Sequence, residues 1–258
     1  MMAMSSAIYE TTVDKLTVTV YGDRNAMGAS AANHTTEFIK NLLQKKDQVR
    51  MIFAAAPSQN EFLAQLTQKS EIDWSRVTAF HMDEYVGLPP HHPARFVNYL
   101  DEHIFNVVGL GEVHRINPLD TPEKECSRYG RLVTAESIDI VCLGIGENGH
   151  IAFNDPGVAD FQDREVVKIV KLDEMCRMQQ VHDGCFANLE NVPLHAVTLT
   201  IPTLLSAKHM VCVVPGPSKR EAVSRTLTGP ITEDCPASIL RTHSDCAMFV
   251  DSAAYGVN

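Results

Sequence analysis

"LGIGENGHIAFNDPG", Leu143–Gly157, sets Gly144, Gly146 and Gly149 in G-x-G-x-x-G spacing behind an apolar run, Ile138–Leu143, that reads as a buried strand. In a dinucleotide-binding βαβ unit the third glycine opens a helix whose N-terminus holds the pyrophosphate. Here only "HIAFND" separates Gly149 from Pro156-Gly157, too short for a crossover helix. Asn154-Asp155-Pro156 is turn chemistry, because proline drives the preceding residue out of the helical region. An acidic residue, Asp173, does follow downstream, but the missing helix decides against NAD. What remains is a strand leading into a loop with its own chemistry: Asn148, His150, Asn154 and Asp155. Ligands of open α/β sheets bind at the carboxyl ends of the strands, and Gly146 and Gly149 would let the backbone come close to one. His150 and Asp155 can form a general acid/base pair, the carboxylate orienting the ring. On these residues alone the simpler reading is structural, with His150 capping a turn and Asp155 making an Asx-turn before Pro156.

Working outward, strand-like and helix-like segments alternate. "LTVTVYG", "VRMIFAAA", "VTAFHM", "IDIVCLGIG", "VVKIVKL", "AVTLTI", "HMVCVVPG" and "CAMFVD" have the apolar, β-branched content of strands. Between them, "DRNAMGASAANHTTEFIKNLLQKK", "PSQNEFLAQLTQKS", "ARFVNYLDEHIF", "TPEKECSRYGRLVTAES" and "PSKREAVSRTLTG" read as helices. This order predicts a mostly parallel sheet with helices on both faces. No repeat or Gly/Ser-rich linker divides the chain, so residues 1–258 read as one α/β domain, with 1–15 as an N-terminal extension.

The 258 residues are 45% hydrophobic and 21% charged, ordinary for a globular domain, with a formal net charge of −10. That charge argues against a general nucleic-acid binder or a surface held on anionic lipid. No apolar stretch approaches the roughly 18 residues of a spanning helix. The N-terminus carries no basic and apolar export signal, and the seven cysteines form no C-x-x-C pair. A cytoplasmic protein is expected. Homo-oligomer formation is left open.

A second constellation follows another strand. "FHMDEYVGLP", Phe80–Pro89, puts Asp83 and Glu84 together where the chain is expected to turn. Two solvated loop acids would explain the pair; Asp83 would need a place over a substrate to act as a base. "MDEYVGLP" followed by "LGIGENGHIAFNDPG", and then by "VPLHAVTLTIPTLLSAK", "VVPGPSKREAV" and "CPASILRTHSDCAMFVD", resembles the glucosamine-6-phosphate deaminase (isomerase) family, to which the 6-phosphogluconolactonases are more distantly related. The resemblance covers nearly the whole chain from about residue 16.

It implies a modified doubly wound, Rossmann-like sheet, no metal or organic cofactor, and conversion of glucosamine 6-phosphate to fructose 6-phosphate and ammonia. Asp83 would be the base that moves a proton from carbon 2 to carbon 1 of the opened sugar. His150 would open the ring by proton transfer at the ring oxygen. Asp155, where the family often has Glu, would support His150, and Asn148 stands where relatives carry Asp or Asn. Glu84, Gly146 and Gly149 fall in the same motifs as substrate-binding candidates. Lys219 matches a phosphate-binding Lys. The first phosphate loop departs from the family: "FAAAPSQNEF" has no glycine and Pro57 has no amide hydrogen, leaving Ser58 and the helix start behind it. Arg95, opening the helix after Asp83, is the candidate to supply a compensating guanidinium fork. No further ligand stands at metal-site spacing from His150 and Asp155, so no metal is expected. Alternatives are a 6-phosphogluconolactonase-type hydrolase, or a non-catalytic sugar-phosphate binder of the same fold.

Overall fold

The computed structural model describes residues 7–119 and 121–257. The strands are β1 (Tyr9–Val13), β2 (Leu16–Tyr21), β3 (Val49–Phe53), β4 (Val77–His81), β5 (Asp83–Tyr85), β6 (Glu112–Val113), β7 (Ile140–Leu143), β8 (Val167–Lys171), β9 (His195–Leu199), β10 (His209–Val214) and β11 (Cys246–Asp251). The helices are α1 (Arg24–Leu43), α2 (Asn60–Leu66), α3 (Phe96–Leu100), α4 (Pro122–Thr134), α5 (Glu174–His182), α6 (Ile201–Leu205), α7 (Arg220–Thr228) and α8 (Ser252–Tyr255).

The main sheet runs β1-β2-β11-β10-β7-β3-β4-β6, parallel throughout except for β1. Its central strands are unbroken apolar runs because both faces are covered, and successive residues enter opposite cores. Met51 and Phe53 of β3, with Ile140 and Cys142 of β7, pack into a core that includes Met27 and Ile39 of α1 and Phe62 of α2. Ile52, Val141 and Leu143 face the other way, into a core with Tyr129 of α4, Leu204 of α6 and Leu227 of α7.

Residues 9–13, within the expected N-terminal extension, join the main sheet. They are edge strand β1, paired antiparallel with β2 across a turn at Asp14, whose φ is +54°. Their half-exposed side chains give no apolar run by which to see a strand.

The other difference concerns β8 and β9. These do not join the parallel sheet but form a second, antiparallel sheet, β5-β9-β8. Along β8, Val167 and Val170 are buried in opposite cores while Ile169 and Lys171 are exposed, so β8 lacks the unbroken burial of the central parallel strands. Asp83 therefore sits on a short strand, opposite Thr198 of β9, and not in a turn.

The chain order also fixes where a ligand can bind. From β3 the path moves outward through β4 to β6, then returns to the other side of β3 as β7 and continues to β10 and β11. The crevice beyond the carboxyl ends of β3 and β7 is thus the switch point of the sheet. Among the described residues no helix is long and apolar enough to cross a membrane.

Candidate active site

A cleft opens at that switch point. Ala54–Ala56 and Ser58 after β3, Met82 and Asp83 after β4, Gly144–Gly146 after β7, His150 with Ala152 and Phe153, Gln179 and Gln180 of α5, and Lys219 all border it.

Asp83 presents a carboxylate to this cleft at 6% exposure, with no side-chain hydrogen bond to the described residues. Burial, followed by the neighbouring charges of Glu84 and Asp155, pushes its pKa well above the usual carboxylate range. Its backbone is held by His81. Nδ1–H donates to the Asp83 carbonyl at 3.0 Å, while Nε2 accepts from the Ile116 amide at 2.8 Å. Burial lowers the His81 pKa to about 3, so this ring is a fixed neutral strut.

The quoted loop folds back tightly after β7. The Gly146 amide donates to the His150 carbonyl at 2.9 Å, and the imidazole lies over Gly146 so closely that a Cβ there would fall 2.2–2.4 Å from ring atoms. Gly149 has φ +89° and packs on Cys235, which suits only glycine. Both are structural necessities of the loop. Gly146→Ala is accordingly expected to displace His150 and lower kcat on the order of a hundredfold, the scale of a lost proton shuttle. Unchanged kcat at unchanged melting temperature would show that the ring position is not critical.

His150 Nδ1 stands 2.9 Å from Asp155 Oδ1, near enough to pair with a protonated ring but off the line of a straight hydrogen bond. Asn148 bridges the loop: its Nδ2 donates to Asp155 Oδ1 at 3.0 Å, and its Oδ1 accepts the His150 amide at 3.0 Å. Burial opposes ionisation of Asp155, but His150 and the Asn148 amide outweigh it and hold the carboxyl below its ordinary value. Asn148 and Asp155 therefore stand behind His150 and away from the cleft. Thr198 ties the two halves of the site together. It is the ladder partner of Asp83, and its hydroxyl accepts the Phe153 amide at 3.1 Å.

At the other end, Lys219 closes the turn that leads into α7, 5% exposed and with no ion-pair partner among the described residues. Burial lowers its pKa, against Asp183 and Glu147, which raise it. Across from it the amides of Ala55, Ala56 and Ser58 have no acceptor among the described residues. The glycine-free loop is thus richer in free donors than "AAAPSQ" suggests, although Pro57 has none and the Ala54 and Gln59 amides are taken by the Cys142 and Ala56 carbonyls. Lys219→Ala is expected to raise KM for a phosphorylated substrate about tenfold, equivalent to about 1.4 kcal/mol. The unphosphorylated sugar should respond to neither residue at position 219. Equal effects on both would place Lys219 away from the phosphate.

Three expected substrate contacts do not border the cleft: Glu84, Arg95 and Gly149, the last packed on Cys235. Glu84 is wholly buried and accepts the backbone amides of Tyr85, Phe96 and Val97 at 2.9–3.1 Å, anchoring the start of α3. Arg95 turns back onto it, with Nε 3.5 Å from Glu84 Oε2, and supplies no fork to a phosphate. Asp173 caps α5, accepting the Cys176 amide at 2.6 Å.

Three residues escaped the sequence reading. Gln179 is pinned by the Glu147 amide at 2.8 Å, whereas Gln180 borders the cleft with no side-chain partner among the described residues. Cys176, on α5, comes within 4.8 Å of ligand atoms of both His150 and Asp155. The expectation that this pair has no third donor rested on loop spacing, and the fold corrects it by bringing the donor from another element.

A family model described as glucosamine-6-phosphate isomerases/6-phosphogluconolactonase matches residues 22–249. A glucosamine-6-phosphate deaminase of Exiguobacterium sibiricum is 40% identical over 188 residues, 72% of this chain and 73% of its own. One from Bacillus cytotoxicus is 34% identical over 219 residues, 84% and 81% of the two chains. Among solved structures, a monomeric glucosamine-6-phosphate deaminase superposes with a TM-score of 0.84 at 32% identity, over 93% of this chain and 99% of that one. The 6-phosphogluconolactonase of Thermotoga maritima shares the fold, with a TM-score of 0.75 at 19% identity over 92% of this chain and all of its own. The strand-end cleft bordered by Asp83 and His150 and these matches lead to one assignment: the chain belongs to the glucosamine-6-phosphate isomerase/6-phosphogluconolactonase family.

Proposed function

We propose that the chain is a glucosamine-6-phosphate deaminase, converting glucosamine 6-phosphate and water to fructose 6-phosphate and ammonia. The observation that carries this is the unpaired, buried carboxylate of Asp83 facing the same cleft as His150, with Lys219 and free amides bordering it.

The phosphate sits against Lys219 and the Ala55–Ser58 turn, which fixes the sugar chain across the cleft. His150 carries a proton to the ring oxygen as the carbon 1–oxygen bond opens, and the Asp155 carboxylate stabilises the charged ring. Asp83 removes the proton from carbon 2 of the opened aldehyde, giving an enolamine, and returns it to carbon 1. The resulting carbon 2 iminium adds water and expels ammonia, leaving the ketose. A lactone hydrolase has no carbon acid to deprotonate, so an unpaired carboxylate of raised pKa favours the isomerising reaction. All seven cysteines are free, in keeping with a reducing cytoplasm.

The test is ammonia release measured across glucosamine 6-phosphate, galactosamine 6-phosphate and the unphosphorylated sugars. Glucosamine 6-phosphate is expected to give the highest kcat/KM. Hydrolysis of 6-phosphogluconolactone without ammonia release from any hexosamine phosphate would overturn the reading.

A further inference from the structure

We propose that His150, Asp155 and Cys176 form a binding site for Zn²⁺ whose occupation switches the enzyme off. One ligand atom from each of the three lies within 4.8 Å of the others. His150 Nδ1 meets only Asp155 Oδ1, at 2.9 Å and off the line of a straight hydrogen bond, and Asp155 Oδ2 is buried with no N–H or O–H donor. Buried polar atoms left poorly paired are costly, and clustered with the Cys176 thiol they form a donor set that a cation would satisfy. Asn148 occupies Asp155 Oδ1 and leaves Oδ2 free to ligate. The Cys176 amide, bonded to Asp173 at 2.6 Å, fixes the first turn of α5 so that the thiol stays at this spot.

Thiolate, imidazole and carboxylate together suit zinc better than the harder Mg²⁺ or Ca²⁺. Three protein donors leave one tetrahedral position for a water ligand. Binding releases the Cys176 thiol proton to solvent and forms the zinc–sulfur bond; nothing is oxidised or reduced. The ion ties up the imidazole and carboxylate that would otherwise move the ring-opening proton, so it inhibits. The site uses the catalytic pair but not the identity of the substrate.

Two readouts test it. Co²⁺ added to the full-length protein should give a thiolate-to-cobalt charge-transfer band that is lost in Cys176→Ala. Zn²⁺ should suppress ammonia release reversibly, with a chelator restoring it. Half-inhibition of Cys176→Ala should need at least about tenfold more zinc, the scale lost when even an outer neighbour of a ligand is removed. Cys176→Ser provides the same comparison should the alanine variant fold poorly. A wild type without the cobalt band, a band retained in both variants, or equal zinc sensitivity of wild type and variants would overturn the proposal. The cobalt band reads occupancy whatever sugar the cleft accepts, so failure of the deaminase reading would leave this test standing.

Discussion

Asp83→Asn lowers kcat on glucosamine 6-phosphate by about three orders of magnitude while leaving KM within about tenfold, because general-base work is expressed in the transition state. The amide keeps the shape of the carboxylate and loses only its basicity. Since Asp83 has no hydrogen-bonding duty to the described residues, the exchange should leave the fold intact. The pH dependence follows from the direction of its shift. The base works only when ionised, and its pKa lies well above the usual range through burial and the charges of Glu84 and Asp155. Activity is therefore complete above the raised pKa and falls as pH drops through it. The acid limb of kcat/KM should stand above the range of an ordinary Asp, and the residual activity of the Asn variant should lack that limb. Steady-state ammonia release across pH reads both; a variant retaining a tenth of wild-type turnover would remove Asp83 from the mechanism.

His150→Gln has the second largest effect, and a selective one. Glutamine cannot carry a proton to the ring oxygen, so the cyclic sugar should lose on the order of a hundredfold or more in kcat. A substrate analogue already in the open-chain form bypasses that step and should lose less than about tenfold, the remainder reflecting altered packing against Gly146. Parallel measurements on the two sugars distinguish the roles, and equal losses would make His150 structural.

The parallel core was legible because its strands are continuous apolar runs ending in chemistry. Leu143 to His150 shows both in one stretch, and the structure sets His150 and Asp155 together, a pairing that the loop allowed but did not require. Strand β1 was not legible because its side chains lie half in solvent. Glu84 was misjudged because sequence adjacency to Asp83 ignores the alternation of a strand. Residue 83 faces the cleft, and residue 84 points to the opposite side, onto the start of α3. Arg95 turns inward because the buried Glu84 carboxylate draws its guanidinium. Gln180 and Cys176 carried no signal because their roles depend on where α5 docks, which no local pattern encodes. The phosphate turn was underrated because side-chain identity is visible in "AAAPSQ", whereas free backbone amides are not.

The return of β7 to the side of β3 also governs how the molecule reaches its working state. Phe53 must find Cys142 across an intervening stretch that has already built β4, β6 and α4. Every such parallel pairing costs loop closure before it gains contact energy, so topology of this kind folds slowly. The cleft draws on residues from Ala54 to Lys219 and exists only once the last of these pairings is made. On refolding from denaturant, helical circular dichroism should consequently recover before ammonia release does. Sugar phosphate in the refolding buffer can stabilise only the completed sheet and should not hasten the early phase.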